Sequence, residues 1–217
     1  IIQELLLRLK DKINPDPWCV EFGAWDGIYC SNTFNLVKSG WNAFYIEGNK
    51  ERFKNLEKNC SKFKKLTCEC RYVEKDSNSI NSLDNILKGK GIPKDFDILS
   101  IDIDSFDLEV WFSIQKYDPK VVFIEINSQY LPGIIKWHSK NCSRYYSGNS
   151  FSATLKVAKE KGYVLICHCG SNMIFVKKEY INLLNLDEKF LEQPELLFDN
   201  NYYILSKQNQ IKKFTKR

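Results

Sequence analysis

Tyr163-Val164-Leu165-Ile166-Cys167-His168-Cys169-Gly170-Ser171-Asn172-Met173-Ile174-Phe175-Val176-Lys177-Lys178 reads as two apolar strands, Tyr163–Cys169 and Met173–Lys178, with only Gly170-Ser171-Asn172 between them. A link of that length cannot carry a crossover, so the two strands must run antiparallel. Upstream the pattern is different. Strands are expected at Trp18–Gly23, Asn42–Glu47, Leu66–Val73, Asp97–Ile103 and Val121–Ile126, the first entered through the turn Asn14-Pro15-Asp16-Pro17. Helices are expected at Lys50–Cys60, Ser82–Leu87, Leu108–Gln115 and Ser152–Lys161, the last stopped by Gly162. Strand–helix alternation predicts parallel pairing under helical layers. The expectation is therefore an α/β, Rossmann-like, seven-stranded sheet, mostly parallel with an antiparallel last strand and helices on both faces. A doubly wound nicotinamide-binding sheet does not end in such a hairpin.

Composition is consistent with one globular domain. The chain has 217 residues, 43% hydrophobic and 27% charged, enough to bury a core without a disulfide or metal staple. No apolar run approaches the ~18 residues of a membrane span, and the leading Ile1–Lys10 segment reads as an amphipathic helix rather than a signal peptide. The first residue is not Met, which reads as processing or as a piece of a longer protein. Of 32 basic residues only five are Arg, the side chain that phosphate and base recognition favours, so the net charge of +5 describes a lysine-rich solvated surface and gives nucleic-acid binding no support. The eight cysteines include no Cys-x-x-Cys. The pairs Cys68/Cys70 and Cys167/Cys169 put both thiols on one strand face, and the expectation is a reduced core in a cytoplasmic protein.

Chemistry begins where the first strand ends. Glu21-Phe22-Gly23-Ala24-Trp25-Asp26-Gly27 sets an acidic residue in the strand and glycines four apart in the turn, which lets the backbone pass close to a nucleoside. Twenty residues beyond Gly27, Glu47 ends the second strand, where a carboxylate can accept both hydroxyls of a ribose. The spacing is not Gly-x-Gly-x-x-Gly, and no helix N-terminus is offered to a pyrophosphate, so a cofactor without phosphates fits better.

Val20–Gly27, Tyr45-Ile46-Glu47-Gly48, Leu99–Asp104 and Ile124-Glu125-Ile126-Asn127, in that order, resemble class I S-adenosylmethionine-dependent methyltransferases, most of all the FkbM-type branch and its relatives that O-methylate sugars. The likeness runs from about residue 17 to 180, leaving a helix at 1–16 and an appendage at 181–217. It implies S-adenosylmethionine held along the turn residues Gly23, Ala24, Asp26 and Gly27, with Glu21 and Gly23 near its methionine part and Glu47 on its ribose. It also implies an adenine contact just after the third strand, at Asp76 or Asn78. The acceptor it implies is a sugar hydroxyl of a glycan or glycosylated metabolite. One departure stands out: the family has Gly after Asp-x-Asp, and here Ser105-Phe106 follows Asp104.

The acidic groups at the ends of the fourth and fifth strands carry the most information. Asp102 and Asp104 lie on one face, Asp107 follows in the loop, and Glu125 and Asn127 do the same on the next strand. Carboxylates so placed repel unless neutralised, and a hard divalent cation with oxygen ligands, Mg²⁺ being the expected identity, does that. Asp102, Asp104, Glu125 and Asn127 are the candidate ligands, a set that related metal-dependent O-methyltransferases also use. The competing reading has Asp102 on the cofactor's amine and the others as loop caps. For a general base the candidates are His138, in the lid-like segment Gln129–Ser150, and Asp104; His168, between two strand cysteines, reads as a packed residue. Tyr130, Trp137, Tyr145 and Tyr146, with Arg144 among them, suit a sugar ring. The alternatives to a methyltransferase are a nucleotide-dependent oxidoreductase and a non-catalytic module. The tail after Lys178 reads as a segment that docks on the core, forms a homodimer or joins a further domain.

Overall fold

In a computed structural model residues 1–142 and 146–214 are described, the side chains beyond Gln208 excepted. Seven strands lie in one sheet in the order β3-β2-β1-β4-β5-β7-β6: β1 Trp18–Phe22, β2 Asn42–Glu47, β3 Leu66–Cys70, β4 Ile98–Ile101, β5 Val121–Glu125, β6 Tyr163–Cys169 and β7 Asn172–Lys177. The antiparallel hairpin read from residues 163–178 is present, with Gly170-Ser171 as its two-residue link.

The chain divides into two units. The first, residues 1–103 and 109–124, holds β1, β2, β3 and β4 in parallel register with most of β5. Its helices are α1 Ile2–Arg8, α2 Phe34–Lys38, α3 Lys50–Cys60 and α4 Leu83–Leu87. α3 starts where it does because Asn49 caps it, its side-chain oxygen accepting the N–H groups of Glu51 and Arg52 at 2.9 and 3.1 Å. Its buried Leu56 and Cys60 face β2 and β3. The helix α5, Asp107–Ser113, belongs mostly here and contributes the fully buried Trp111. At the entry ends of β4 and β5, Asp97 and Lys120 form a buried ion pair at 2.8 Å, and Asp97 also accepts the backbone N–H groups of Asn14 and Trp18. Removing one member of such a pair strands a buried charge, at a cost of about 3–5 kcal/mol.

The second unit, residues 104–108 and 125–217, holds the β6–β7 hairpin, α6 Phe151–Glu160 on β6, and the tail helices α7 Glu188–Glu192 and α8 Asn200–Phe214. Ser150 caps α6, and Gly162 at φ +79° ends it as expected. His168 is packed, as read. Its ring is buried beside Phe151 and Phe198, and a ring of hydrogen bonds passes through it. The Asp199 N–H donates to His168 Nδ1, which leaves the neutral ring's proton on Nε2 for Ser128 Oγ; that hydroxyl donates to the Gly170 carbonyl, and the Gly170 N–H returns to Asp199.

The cysteine expectation needs a correction. All eight are free, but only Cys19 and Cys60 are buried. Cys68 and Cys70 are half-buried and exposed because β3 is an edge strand, and Cys167 and Cys169 behave alike on β6 at the other edge. No helix of the described residues is long and apolar enough to cross a membrane.

Candidate active site

The turn after β1 is shaped by two close approaches. Gly23 has φ +78°, and a Cβ there would sit 1.5 Å from the Asp102 carbonyl oxygen, so the backbones leaving β1 and β4 touch with no room for a side chain. Gly27, at φ +77°, leaves 2.7 Å between the place of a Cβ and a Leu56 methyl. The N–H groups of Gly23 and Ala24 both donate to the Ile46 carbonyl, at 3.0 and 3.1 Å. Asp26 uses its carboxylate inside the turn, accepting from the Ile28 and Tyr29 N–H groups at 2.9 and 2.7 Å, which makes it a cap of this loop.

Glu47 closes the turn from the side of β2. It is 5% exposed; one carboxylate oxygen accepts the Trp25 N–H at 2.9 Å and the other accepts the Asn49 N–H at 2.7 Å. Each oxygen keeps a lone pair for a further donor. Trp25 itself, at φ +51° and 41% exposed, carries the Arg52 guanidinium 3.8 Å from its ring centroid, with Tyr29 beside it. Spacing and motif alone pass over Trp25. A signal is there nonetheless: a bulky aromatic midway between two turn glycines has no core to enter.

Glu21 is buried in β1. Its carboxylate accepts from the Ser31 hydroxyl at 2.8 Å, from the Asn32 and Thr33 N–H groups, and from the Thr33 hydroxyl. Burial raises its pKa above the ordinary carboxylate range, against the lowering effect of these hydrogen bonds. Glu21 thus holds the Ser31–Thr33 turn that opens α2, and the Asn32 side chain goes on to Ser100 at 3.1 Å. Asp76 is exposed and caps its own turn through the Asn78 N–H. Asp102 is half-buried just beyond β4, its N–H on the Phe22 carbonyl at 3.1 Å.

In the second unit Asp104 has φ +60°, a conformation that glycine adopts freely. The sharp turn here is made by Asp104 itself, with the Ser147 hydroxyl on its carbonyl and the Ser105 N–H on Asp107. Asp104 and Glu125 bring carboxylate oxygens within 4.8 Å of each other, a gap that one divalent cation with oxygen distances of about 2.0–2.6 Å can bridge. Asn127 is placed differently. Its amide nitrogen donates to the Ser147 carbonyl at 2.7 Å and its oxygen accepts the Gln129 N–H at 3.0 Å, so both ends lock the loop. His138 accepts the Gly148 N–H on Nδ1 at 3.0 Å, and the Phe106 ring lies 4.4 Å from its own. A neutral ring engaged in this way carries its proton on Nε2. Of the expected lid residues Tyr130 is half-buried and Trp137 and Tyr146 are exposed; Arg144 and Tyr145 lie outside the described residues.

No family model and no curated protein matches this sequence. Solved structures match in fold. The chain superposes on M. capricolum TrmK, solved with the natural cofactor product S-adenosyl-homocysteine, at a TM-score of 0.50 and 16% identity over 98% of this chain and 84% of that one. Monomeric WbdD matches at 0.51 and 12% over 81% of this chain and 40% of that one. The CurJ carbon methyltransferase matches at 0.50 and 10% over 81% and 52% respectively. At such identities the likeness is one of fold: the mixed seven-stranded sheet is the Rossmann-like sheet of class I methyltransferases.

Proposed function

We propose that this chain is an S-adenosylmethionine-dependent methyltransferase acting on a sugar hydroxyl of a glycan or glycosylated metabolite. The observation that carries the cofactor half is the buried Glu47 carboxylate at the tip of β2, tied to the Gly23–Gly27 turn and keeping one acceptor position on each oxygen. Two hydroxyls in a cis arrangement, as on a ribose, match that pair of positions. The close-packed Gly23 sets the turn against the backbone leaving β4 and so fixes its path beside Glu47. Trp25, braced by Arg52, offers a flat face beside it.

The acceptor half rests on Asp104 and Glu125, with the resemblance supplying the sugar. Asp104 and Glu125 are the side chains we assign to a divalent cation such as Mg²⁺, with Asn127 as the further candidate ligand. A bound cation supplies charge that lowers the pKa of a coordinated hydroxyl. S-adenosylmethionine, when bound, would supply the methyl group, its carbon–sulfur bond giving way to a carbon–oxygen bond on the acceptor and leaving a neutral thioether. The hydroxyl proton goes to a carboxylate oxygen not engaged on the cation, for which we assign Asp104 in place of His138, whose Nδ1 is engaged by Gly148.

Calorimetry with S-adenosyl-homocysteine and with NAD tests the cofactor. Micromolar binding of the first and none of the second is expected, and absence of both would leave a non-catalytic module. Methyl transfer from labelled S-adenosylmethionine to a saccharide panel tests the acceptor; label on carbon or nitrogen acceptors alone would overturn the sugar assignment.

A further inference from the structure

The segment Leu131-Pro132-Gly133-Ile134-Ile135-Lys136-Trp137 exposes apolar side chains in close succession: Leu131 is 41% exposed, Ile134 46%, Ile135 58% and Trp137 37%. Single exposed hydrophobics are ordinary, but four within seven residues form a patch. The patch is not a loose coil. The Gly133 N–H donates to Ser152 Oγ at 2.8 Å, the Lys136 N–H to Ser150 Oγ at 3.0 Å, and Ser150 returns its hydroxyl to the Ile134 carbonyl and its N–H to the Lys136 carbonyl. Four hydrogen bonds thus fasten the loop to the start of α6 while its apolar tips point to solvent.

Charge is distributed just as unevenly. Between Glu125 and Glu160 the chain has no Asp or Glu, where its average of one acid in eight residues would put about four. The same interval carries Lys136, Lys140, Lys156 and Lys159. Lys156 lies one helical turn beyond Ser152, on the α6 face to which the loop is fastened. Branched aliphatics beside a tryptophan, with Lys136 and Lys140 in the same stretch of chain and no acid among residues 126–159, match the interface of an anionic bilayer, where apolar groups enter the headgroup boundary and lysines meet phosphates. Single-stranded nucleic acid also takes basic and aromatic side chains, but it has no use for exposed Ile134, Ile135 and Leu131.

We propose that the Leu131–Trp137 loop is a peripheral docking surface for an anionic lipid bilayer, with Ile134, Ile135 and Trp137 inserted and Lys136 and Lys140 on the headgroups. The proposal does not depend on methyl transfer, since its readout is vesicle binding. The full chain is to be co-sedimented with phosphatidylcholine vesicles and with mixed phosphatidylcholine–phosphatidylglycerol vesicles. Binding only to the mixed vesicles, weakened by salt, is expected. Ile134→Asp combined with Ile135→Asp should abolish it, and Lys136→Gln or Lys140→Gln should each lower the partition coefficient about fivefold. Both isoleucines are solvent-exposed, so the variant should keep its thermal unfolding midpoint, and a second variant, Trp137→Ser, should reproduce the loss. No vesicle binding, binding unchanged in these variants, or binding of an oligonucleotide in place of vesicles would overturn the proposal. So would a dimer in sedimentation velocity that the isoleucine variant dissolves while vesicles go unbound.

Discussion

Glu47 accepts the backbone N–H of Trp25 at 2.9 Å across two neighbouring strands, and with the Gly23 and Ala24 bonds to the Ile46 carbonyl it fixes the distance between the tip of β2 and the turn that leaves β1. A buried carboxylate that orders a turn and keeps acceptor positions for a ligand couples loop shape to ligand affinity.

Glu47→Ala should weaken S-adenosyl-homocysteine at least about tenfold, since charged hydrogen bonds are worth about 1.5–3 kcal/mol each. Asn49, which caps α3 and donates its N–H to the other Glu47 oxygen, should tolerate Asn49→Asp with little change. Calorimetry reads both. Unchanged affinity in Glu47→Ala would mean the ribose lies elsewhere.

Gly23→Ala should cost more than about 4 kcal/mol, because the added methyl would overlap the Asp102 carbonyl. Gly40 is the control. It too has positive φ, at +88°, but nothing lies within 4 Å of where its Cβ would be, so Gly40→Ala should cost only about 1–2 kcal/mol. Equal losses in urea unfolding would show that backbone strain, not the close approach, dominates at Gly23.

Glu125→Ala should weaken Mn²⁺ binding at least about tenfold, as losses in the surroundings of a metal already cost about 10–100-fold. Titration of the protein with Mn²⁺ followed by electron paramagnetic resonance measures this without an acceptor. His138→Asn, whose side-chain oxygen can still receive the Gly148 N–H, should leave kcat within about threefold; a loss of about 10²–10⁴ would restore the histidine as the base.

His168 makes stability depend on pH. Burial lowers its pKa below the ordinary histidine value, with Asp199 pulling the other way. The groups facing it are Ser128, the Asp199 backbone and carboxylate, and the rings of Phe151 and Phe198. The unfolded chain therefore takes up this proton first, so stability held at neutral pH drains away as pH falls below about 6.5 and levels off beneath the lowered value. Urea unfolding at about pH 7.5 and 5.5 should show a larger loss in the wild type than in His168→Gln, which carries no proton at either pH. Parallel losses would assign the effect to other groups.

Much of this architecture is legible without coordinates. β2 and α3 begin and end at the residues that alternation and periodicity give, because Asn49 caps the helix immediately after Glu47 ends the strand. Alternation runs β3 three residues too long, and the reason is geometric: it pairs only with β2, so it stops opposite Glu47, at Cys70. α2 escapes a pattern reading because five residues make too little helix to show a period. Of the site, the glycine turn and Glu47 are readable from spacing alone. What Glu21, Asp26, Asn127 and His138 do is not, since each finds its partners through the path of a loop that residue types do not encode.

Asp97 stands at the entry of β4 and Asp102 just past its exit; Lys120 and Glu125 bracket β5 in the same way. The entry residues pair with each other in the core, whereas the exit residues Asp102 and Glu125 are half-buried. Under the function proposed above, selection for robustness and selection for a new acceptor would act on opposite tips of these strands. A lineage of this fold can rewrite its chemistry at one tip without renegotiating its durability at the other.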